Sequence, residues 1–150
     1  PGCCWKSKTR MELRKSEWHF LFDCGMIEKI IGRSKIMPFI NSKVSVPLTD
    51  SEKETLKGKL GQAISLIPGK SESWLMVGFE DNYSLYFKGK NDTKLAYVEV
   101  KIFGGTTDEA YDKLTARLCQ IYEEVLGIPQ DKIYIKYEEV EHWGWNGANF

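Results

Sequence analysis

The order strand, helix, strand occurs twice in this sequence, and this repetition limits the possible fold more than any other feature. Residues 38–46 alternate apolar and polar side chains as a strand does, and 49–67 follow with the spacing of an amphipathic helix. The run SWLMVGFE is the next strand. The same order returns over 94–103, 106–127 and 132–140. Two β-α-β units predict an α+β fold, a two-layer sandwich with a four-stranded sheet and two helices on one face.

Both predicted helices have clear ends and one apolar face. Thr49 or Asp50 can cap the first helix, and Pro68 and Pro129 follow the two helices and stop them. The inward positions are Leu56, Leu60, Ala63, Ile64 and Ile67 in the first helix, and Ala110, Leu114, Leu118, Ile121 and Val125 in the second. These faces predict one core between the helices and the sheet.

The connections and the uncovered sheet face complete the predicted fold. Residues 83–87 (YSLYF) are interpreted as a short connecting strand, and the glycine-containing tail 142–150 as a short hairpin. The alternation of side chains places Tyr97, Phe103 and Tyr134 on the sheet face opposite the helices. An uncovered face with aromatic side chains predicts a partner, most simply further copies of this chain.

Composition and charge exclude several classes of function. The chain has 21 Lys+Arg and 21 Asp+Glu, so its formal net charge is zero. A neutral chain has no overall electrostatic attraction to nucleic acid or to an anionic membrane, and neither is expected as a partner. No uncharged stretch approaches the length of a bilayer span. Four cysteines in 150 residues do not indicate a disulfide-rich secreted scaffold.

Residues 1–36 differ in composition from the rest of the chain. They contain eight basic and four acidic residues, a net charge of +4 that the remainder balances with −4. Acidic residues interrupt their apolar run and no small-residue cleavage site follows, so a secretory signal is not predicted. Cys3, Cys4, His19 and Cys24 are the candidate metal ligands there, but adjacent cysteines suit a tetrahedral site poorly, and no metal is expected. We interpret 1–36 as an appended arm, a tag or a mis-called start, and 37–150 as the domain.

Four short segments and the terminal residue carry a family resemblance. They are 37–40 (MPFI), 69–70 (GK), 129–135 (PQDKIYI), 144–146 (GWN) and Phe150. In their order and spacing they resemble macrophage migration inhibitory factor and D-dopachrome tautomerase, within the tautomerase superfamily. The resemblance covers residues 37–150 and none of 1–36. It implies a homotrimer of the tautomerase (MIF-like) fold, with sites at the subunit boundaries.

The resemblance implies a catalytic role for Pro38. In that family the initiator methionine is removed and the N-terminal proline is the general base. A free α-amino group titrates near ~8, and burial beside a cation lowers its pKa further. An internal proline is an amide and cannot take a proton. Pro38 is therefore a base if translation starts at Met37 and Met37 is removed, and otherwise an ordinary proline at the start of a strand.

Four further positions match family residues that bind substrate. Lys70 matches the lysine that meets the substrate carboxylate, although from the residues alone it is a solvated loop lysine. Ile102 matches the position whose main-chain N–H holds the carboxylate, and Tyr134 matches the tyrosine that reaches a neighbouring subunit's site. Lys136 stands where the family has asparagine, and it adds a second cation to the site or alters specificity.

Aromatic residues near the C-terminus have two readings. Trp145 and Phe150, with Trp74 and Trp143, either line an aromatic pocket or pack in a core or interface. Cys119 lies among apolar helix positions and is most simply a small buried hydrophobe.

The implied function is a cofactor-free keto–enol tautomerase of aromatic 2-keto acids such as phenylpyruvate. The alternative is a cytokine-like signalling protein that presents this fold to a receptor, with catalysis vestigial or blocked. The family cytokine's Cys-x-x-Cys motif is absent, so thiol oxidoreductase activity has no basis. The expected location is the cytoplasm, and the resemblance adds export by a non-classical route.

Overall fold

The computed structural model describes residues 37–149, and in this range it contains the predicted two-layer α+β fold. The strands of the main sheet are β1 (Pro38–Val44), β2 (Met76–Glu80), β3 (Ala96–Phe103) and β4 (Ile133–Val140). Their spatial order is β2-β1-β3-β4, with β1 parallel to β2, β1 antiparallel to β3 and β3 parallel to β4. Each parallel pair is one β-α-β unit, and the antiparallel contact of β1 with β3 joins the two units.

Two α-helices lie within the described range, α1 (Asp50–Ala63) and α2 (Asp108–Leu126). Thr49 caps α1: its hydroxyl accepts from the Glu52 N–H, and the Glu52 carboxylate accepts from the Thr49 N–H. Thr107 caps α2, which ends at Gly127 with a left-handed φ of 63°. The choice left open between Thr49 and Asp50 is thus settled in favour of Thr49.

Both helices share one core with one face of the sheet, as the apolar spacing predicted. The fully buried side chains include Ile40, Val44, Val98, Val100 and Ile102 from the sheet, with Leu56, Leu60, Ile64, Leu114, Leu118 and Ile121 from the helices. Ser42 and Tyr122 are the polar pair in this core, and their hydroxyls lie 2.5 Å apart. Because both helices contact the same buried residues, both cover the same face.

Two local predictions are wrong. The second strand does not include Ser73–Leu75, because Glu72–Trp74 form a 3-10 turn in which the Leu75 N–H donates to the Glu72 carbonyl at 3.0 Å. Residues 83–87 are not a strand. There, Phe87 instead pairs with Lys90 in an isolated bridge around a two-residue turn.

The helix-free sheet face is more charged than predicted. Lys43 pairs with Glu99 at 3.4 Å, and Glu138 lies 3.9 Å from Lys101 and 3.4 Å from Lys136. Among the three aromatic residues predicted for this face, Tyr134 is 60% exposed and Tyr97 is partly buried, whereas Phe103 is buried. The prediction of an exposed aromatic surface therefore holds for Tyr134 and not for Phe103.

The tail forms the predicted hairpin. Its strands are β5 (Gly144–Trp145) and β6 (Ala148–Asn149), which pair antiparallel. Asn146 and Gly147 between them have φ values of 51° and 81°, the conformation of a two-residue type I′ turn. Neither α-helix of the described range is long and apolar enough to cross a membrane.

Candidate functional site

Pro38 begins β1 at the point where β3 ends. It lies opposite Ile102 in the antiparallel register, and both residues are buried. One residue outward, the Phe103 N–H donates to the Met37 carbonyl at 3.1 Å. Because Met37 precedes Pro38 in this chain, the Pro38 nitrogen is an amide and has no lone pair available for a proton.

Lys70 lies in the connection between α1 and β2, and its side chain reaches the same end of the sheet. Gly69 reverses the chain there with a φ of 78°, and the Lys70 N–H donates to the Ile67 carbonyl at 3.1 Å. The Lys70 side chain is 6% exposed, and its Nζ donates to the Phe103 carbonyl at 2.8 Å. A buried ammonium is stable only with polar partners, so this contact holds a cation at the end of β3.

These contacts place three predicted site residues together: Pro38, Ile102 and Lys70. They also indicate which amide faces the proline. In an antiparallel pair successive N–H groups alternate between the two edges of a strand, and the Phe103 N–H points to β1. The Ile102 N–H thus points to the other edge, and Phe103 is the residue of β3 whose N–H and carbonyl both face the site. Side-chain patterns give no signal for such a main-chain group.

Tyr134 and Lys136 do not join this group within one chain. Ile102 is paired with Glu139. Lys136 precedes Glu139 by three residues on β4, and Tyr134 precedes it by five. At the rise of a strand these offsets are roughly 10 and 17 Å, and both side chains lie on the helix-free face. Lys136 is exposed and its Nζ lies 3.4 Å from the Glu138 carboxylate.

Trp145 lies beside the segment that carries Lys70. Its ring meets that of Trp74 edge to face, with centroids 5.4 Å apart and an interplanar angle of 83°. The two side chains are 49% and 40% exposed, so they form a partly open aromatic pair rather than core packing. Phe150 lies outside the described residues, and its predicted role stays a prediction.

A second aromatic contact was not predicted. The ring of Phe87 lies 5.7 Å from that of Tyr134, at 77° to it, and Lys132 Nζ lies 4.4 Å from the Phe87 centroid. The contact joins a loop to a strand far along the chain, so no periodic pattern connects them. The signal that was available is the Lys88-Gly89 pair, which is typical of a tight turn.

The groups that this end of the sheet brings together are the Pro38 nitrogen, an amide in this chain, and the buried Lys70 ammonium. Among residues 37–149, no group of three or more histidine, cysteine or acidic side chains is placed to hold a metal ion. A base at Pro38 requires a free amine, and the Lys70 ammonium would then favour its uncharged form.

Comparisons with known proteins identify the family and the fold. The family model described as macrophage migration inhibitory factor (MIF) matches residues 37–150. The macrophage migration inhibitory factor of Meriones unguiculatus is 29% identical over 118 residues, which cover 76% of this chain and 99% of that protein.

Solved structures show the same fold. The MIF2 protein of Leishmania major has a TM-score of 0.72 and 33% identity, covering 77% of this chain and 99% of its own. A macrophage migration inhibitory factor homologue from Prochlorococcus marinus has a TM-score of 0.68 and 32% identity, covering 75% and 98%.

Proposed function

The chain belongs to the macrophage migration inhibitory factor family, and on that premise we propose that it is a cofactor-free keto–enol tautomerase of aromatic 2-keto acids such as phenylpyruvate when Pro38 is the free amino terminus. The observation that supports this most directly is the buried Lys70 ammonium, 2.8 Å from the carbonyl of Phe103 at the strand end that faces Pro38. A cation there meets the substrate carboxylate and favours the uncharged proline amine.

The proposed reaction moves one proton within the substrate. The Pro38 amine takes a proton from the carbon next to the ketone, and the electron pair shifts to form the enol double bond. The carbonyl oxygen receives that proton from the Pro38 ammonium, which restores the amine. In the reverse direction the ammonium returns the proton to carbon. Atoms and charge balance with no oxidant and no cofactor.

The position of Met37 supports a specific mode of carboxylate binding. In the extended chain the Met37 carbonyl oxygen accepts the Phe103 N–H at 3.1 Å. Removal of Met37 takes away this acceptor, and a substrate carboxylate oxygen can take its place while Lys70 binds the other oxygen. We therefore favour the N–H of Phe103 over that of Ile102 as the main-chain donor.

Three forms of the protein test the proposal. A chain that begins at Pro38 should interconvert the keto and enol forms of phenylpyruvate, followed by the ultraviolet absorbance of the enol. The chain of 150 residues and a chain with one alanine before Pro38 should be inactive, because in both the nitrogen is an amide. Equal activity in all three forms would show that another group is the base.

A receptor-binding role without catalysis is the second candidate, and the amide state of Pro38 in the extended chain favours it. The same assay separates the two, because a Pro38-initiated form that stays inactive leaves only binding. We further propose a homotrimer, with the cytoplasm as the site of action and non-classical export as the route outward.

A further inference from the structure

By the family resemblance, Tyr134, an exposed aromatic residue of β4, would reach the substrate site of a second copy. Within its own chain it lies five residues of strand from the row of Pro38 and Ile102, on the opposite sheet face. Its side chain is 60% exposed. An exposed tyrosine has several rotamers, and fixing one of them on binding costs affinity. A contact that holds this ring in place before the substrate binds therefore raises the affinity for the substrate.

We infer that Phe87 is a positioning residue that holds Tyr134 for the aryl group of the substrate. This inference rests on the proposed function. The two rings meet edge to face at 5.7 Å and 77°, within the geometry that aromatic pairs prefer. Two ammonium groups also lie over the Phe87 ring, Lys132 Nζ at 4.4 Å and Lys88 Nζ at 5.4 Å from its centroid. The ring of Phe87 thus contacts both cations as well as the ring it positions.

The backbone fixes Phe87 as well. The Phe87 N–H donates to the Lys90 carbonyl at 2.8 Å, and the Lys90 N–H donates back at 3.0 Å. Lys88 and Gly89 between them have φ values of 51° and 75°, which is a type I′ turn. This closed turn gives Phe87 a defined position in an otherwise irregular loop.

The contact with Phe87 is needed to hold the Tyr134 ring because there is open space beside that ring. A cavity of about 200 Å³ lies between the loop and the sheet, and Tyr134 and Phe87 both line it. Leu85, Leu95 and Ala96 provide apolar walls. Without the ring of Phe87, the ring of Tyr134 can turn into this cavity and leave the orientation that faces the second copy.

The contact of Phe87 with Tyr134 favours substrates that carry an aryl group. Loss of Phe87 should weaken binding of aromatic 2-keto acids and leave binding of straight-chain alkyl 2-keto acids unchanged, because the carboxylate contacts at Lys70 and Phe103 are the same for both. An aromatic pair contributes enough to change KM by roughly 2- to 10-fold. The turnover number should change little, since neither ring touches the reacting atoms.

The test uses chains that begin at Pro38. Phe87→Leu should raise KM for phenylpyruvate with kcat nearly unchanged. Phe87→Tyr, which keeps an aromatic ring at this position, should have the KM of the parent chain. Tyr83→Leu is the matched control: Tyr83 lies in the same loop with the Lys43 ammonium 5.4 Å from its centroid. The Tyr83→Leu variant should have the KM of the parent chain. Thermal midpoints and sedimentation of each variant separate a loss of stability from a loss of positioning.

A double-mutant cycle decides whether Phe87 acts through Tyr134. In a Tyr134→Leu background, Phe87→Leu should have no further effect on KM. Independent effects of the two changes, or an equal rise in KM for alkyl substrates, would overturn the inference while the tautomerase stands. If Phe87→Leu is too unstable to assay, Gly89→Ala replaces it, since it strains the turn at a positive φ with no atom within 4 Å of the added carbon. An inactive Pro38-initiated parent would overturn the proposed function together with this inference.

Discussion

In the proposed reaction, Lys70 is the side chain that binds the substrate carboxylate. Lys70 is 6% exposed, and its Nζ donates to the Phe103 carbonyl at 2.8 Å. Lys70→Ala in a chain that begins at Pro38 should raise KM for phenylpyruvate about tenfold or more, since a hydrogen bond to a charged group contributes about 1.5–3 kcal/mol. The fall in kcat should be smaller, because the contact is present in the ground state too. Steady-state kinetics with phenylpyruvate measures both.

Lys136 provides the matched control for this prediction. It is exposed and shares the Glu138 carboxylate with Lys101, so its charge is already partly balanced. Lys136→Ala should change KM much less than Lys70→Ala. The reverse order of the two effects would assign the carboxylate to Lys136 and leave the reaction class intact.

Cys119, predicted to be a small buried hydrophobe, is only partly buried. Burial raises the pKa of this thiol above its ordinary value, and the Glu123 carboxylate raises the pKa further. Only the thiolate reacts with alkylating agents, so the thiol should resist iodoacetamide at neutral pH and react faster as the pH rises beyond its ordinary range. Cys119 is the only cysteine in the sequence from Pro38 onward, so the intact mass of that chain reports its alkylation directly.

Unfolding supplies the control for Cys119. In denaturant the thiol regains its ordinary pKa and should react at the rate of a free cysteine. Rapid alkylation of the folded protein at neutral pH would mean that the thiol is neither shielded nor deactivated.

At the scale of the elements, the start of β1 controls access to the bond between Met37 and Pro38. Met37 is 7% exposed and its carbonyl is bonded to Phe103, so the bond is part of the sheet ladder. A protease needs an extended, accessible segment. Limited digestion of the folded chain of 150 residues should therefore give products that keep Met37 and stay inactive, as intact mass and the enol assay would show. A product of the folded chain that begins with Pro38 would contradict this.

Strong periodicity explains which elements the sequence predicts well. The helices were predicted because an apolar stripe and a following proline agree for each, although α1 ends at Ala63 and residues Ile64–Leu66 continue it as a 3-10 turn. The second strand was predicted too long because Ser73–Leu75 continue its apolar character, while the local hydrogen bond of Leu75 to Glu72 closes a turn instead. Residues 83–87 have strand-forming side chains, yet the turn at Lys88 and Gly89 pairs Phe87 with Lys90 and not with the sheet.

The site was predictable only where side chains carry its chemistry. Pro38 and Lys70 were found through the family resemblance, and their proximity follows from the register of β1 with β3 and from the burial of Lys70. Nothing in the sequence distinguishes Lys70 from a solvated lysine after a helix, because its burial depends on the distant Phe103 carbonyl. The orientation of main-chain groups and the contact of Phe87 with Tyr134 are tertiary properties with no local pattern.

At the scale of the whole molecule, one chain holds the proposed site residues in two places that do not meet. Pro38 and Lys70 lie at one end of the sheet, and Tyr134 lies about 17 Å along β4 from that row on the other face. If Tyr134 serves the Pro38 site, it must come from a second copy. A cyclic trimer would supply each site with both halves, and sedimentation at micromolar concentration should show it.

Mixed trimers test this arrangement of shared sites. In chains that begin at Pro38, Lys70→Ala and Tyr134→Ala should each bind phenylpyruvate weakly. After the two proteins are unfolded together and refolded in equal amounts, about a quarter of the sites should combine an intact Lys70 from one chain with an intact Tyr134 from its neighbour. Assayed well below either variant's KM, this mixture should be more active than the mean of its two components. The same proteins refolded separately and mixed immediately before the assay supply the baseline. If the co-refolded mixture only reaches that baseline, Lys70 and Tyr134 act within one chain or Tyr134 does not act at all, and single-variant kinetics of Tyr134→Ala decide between the two.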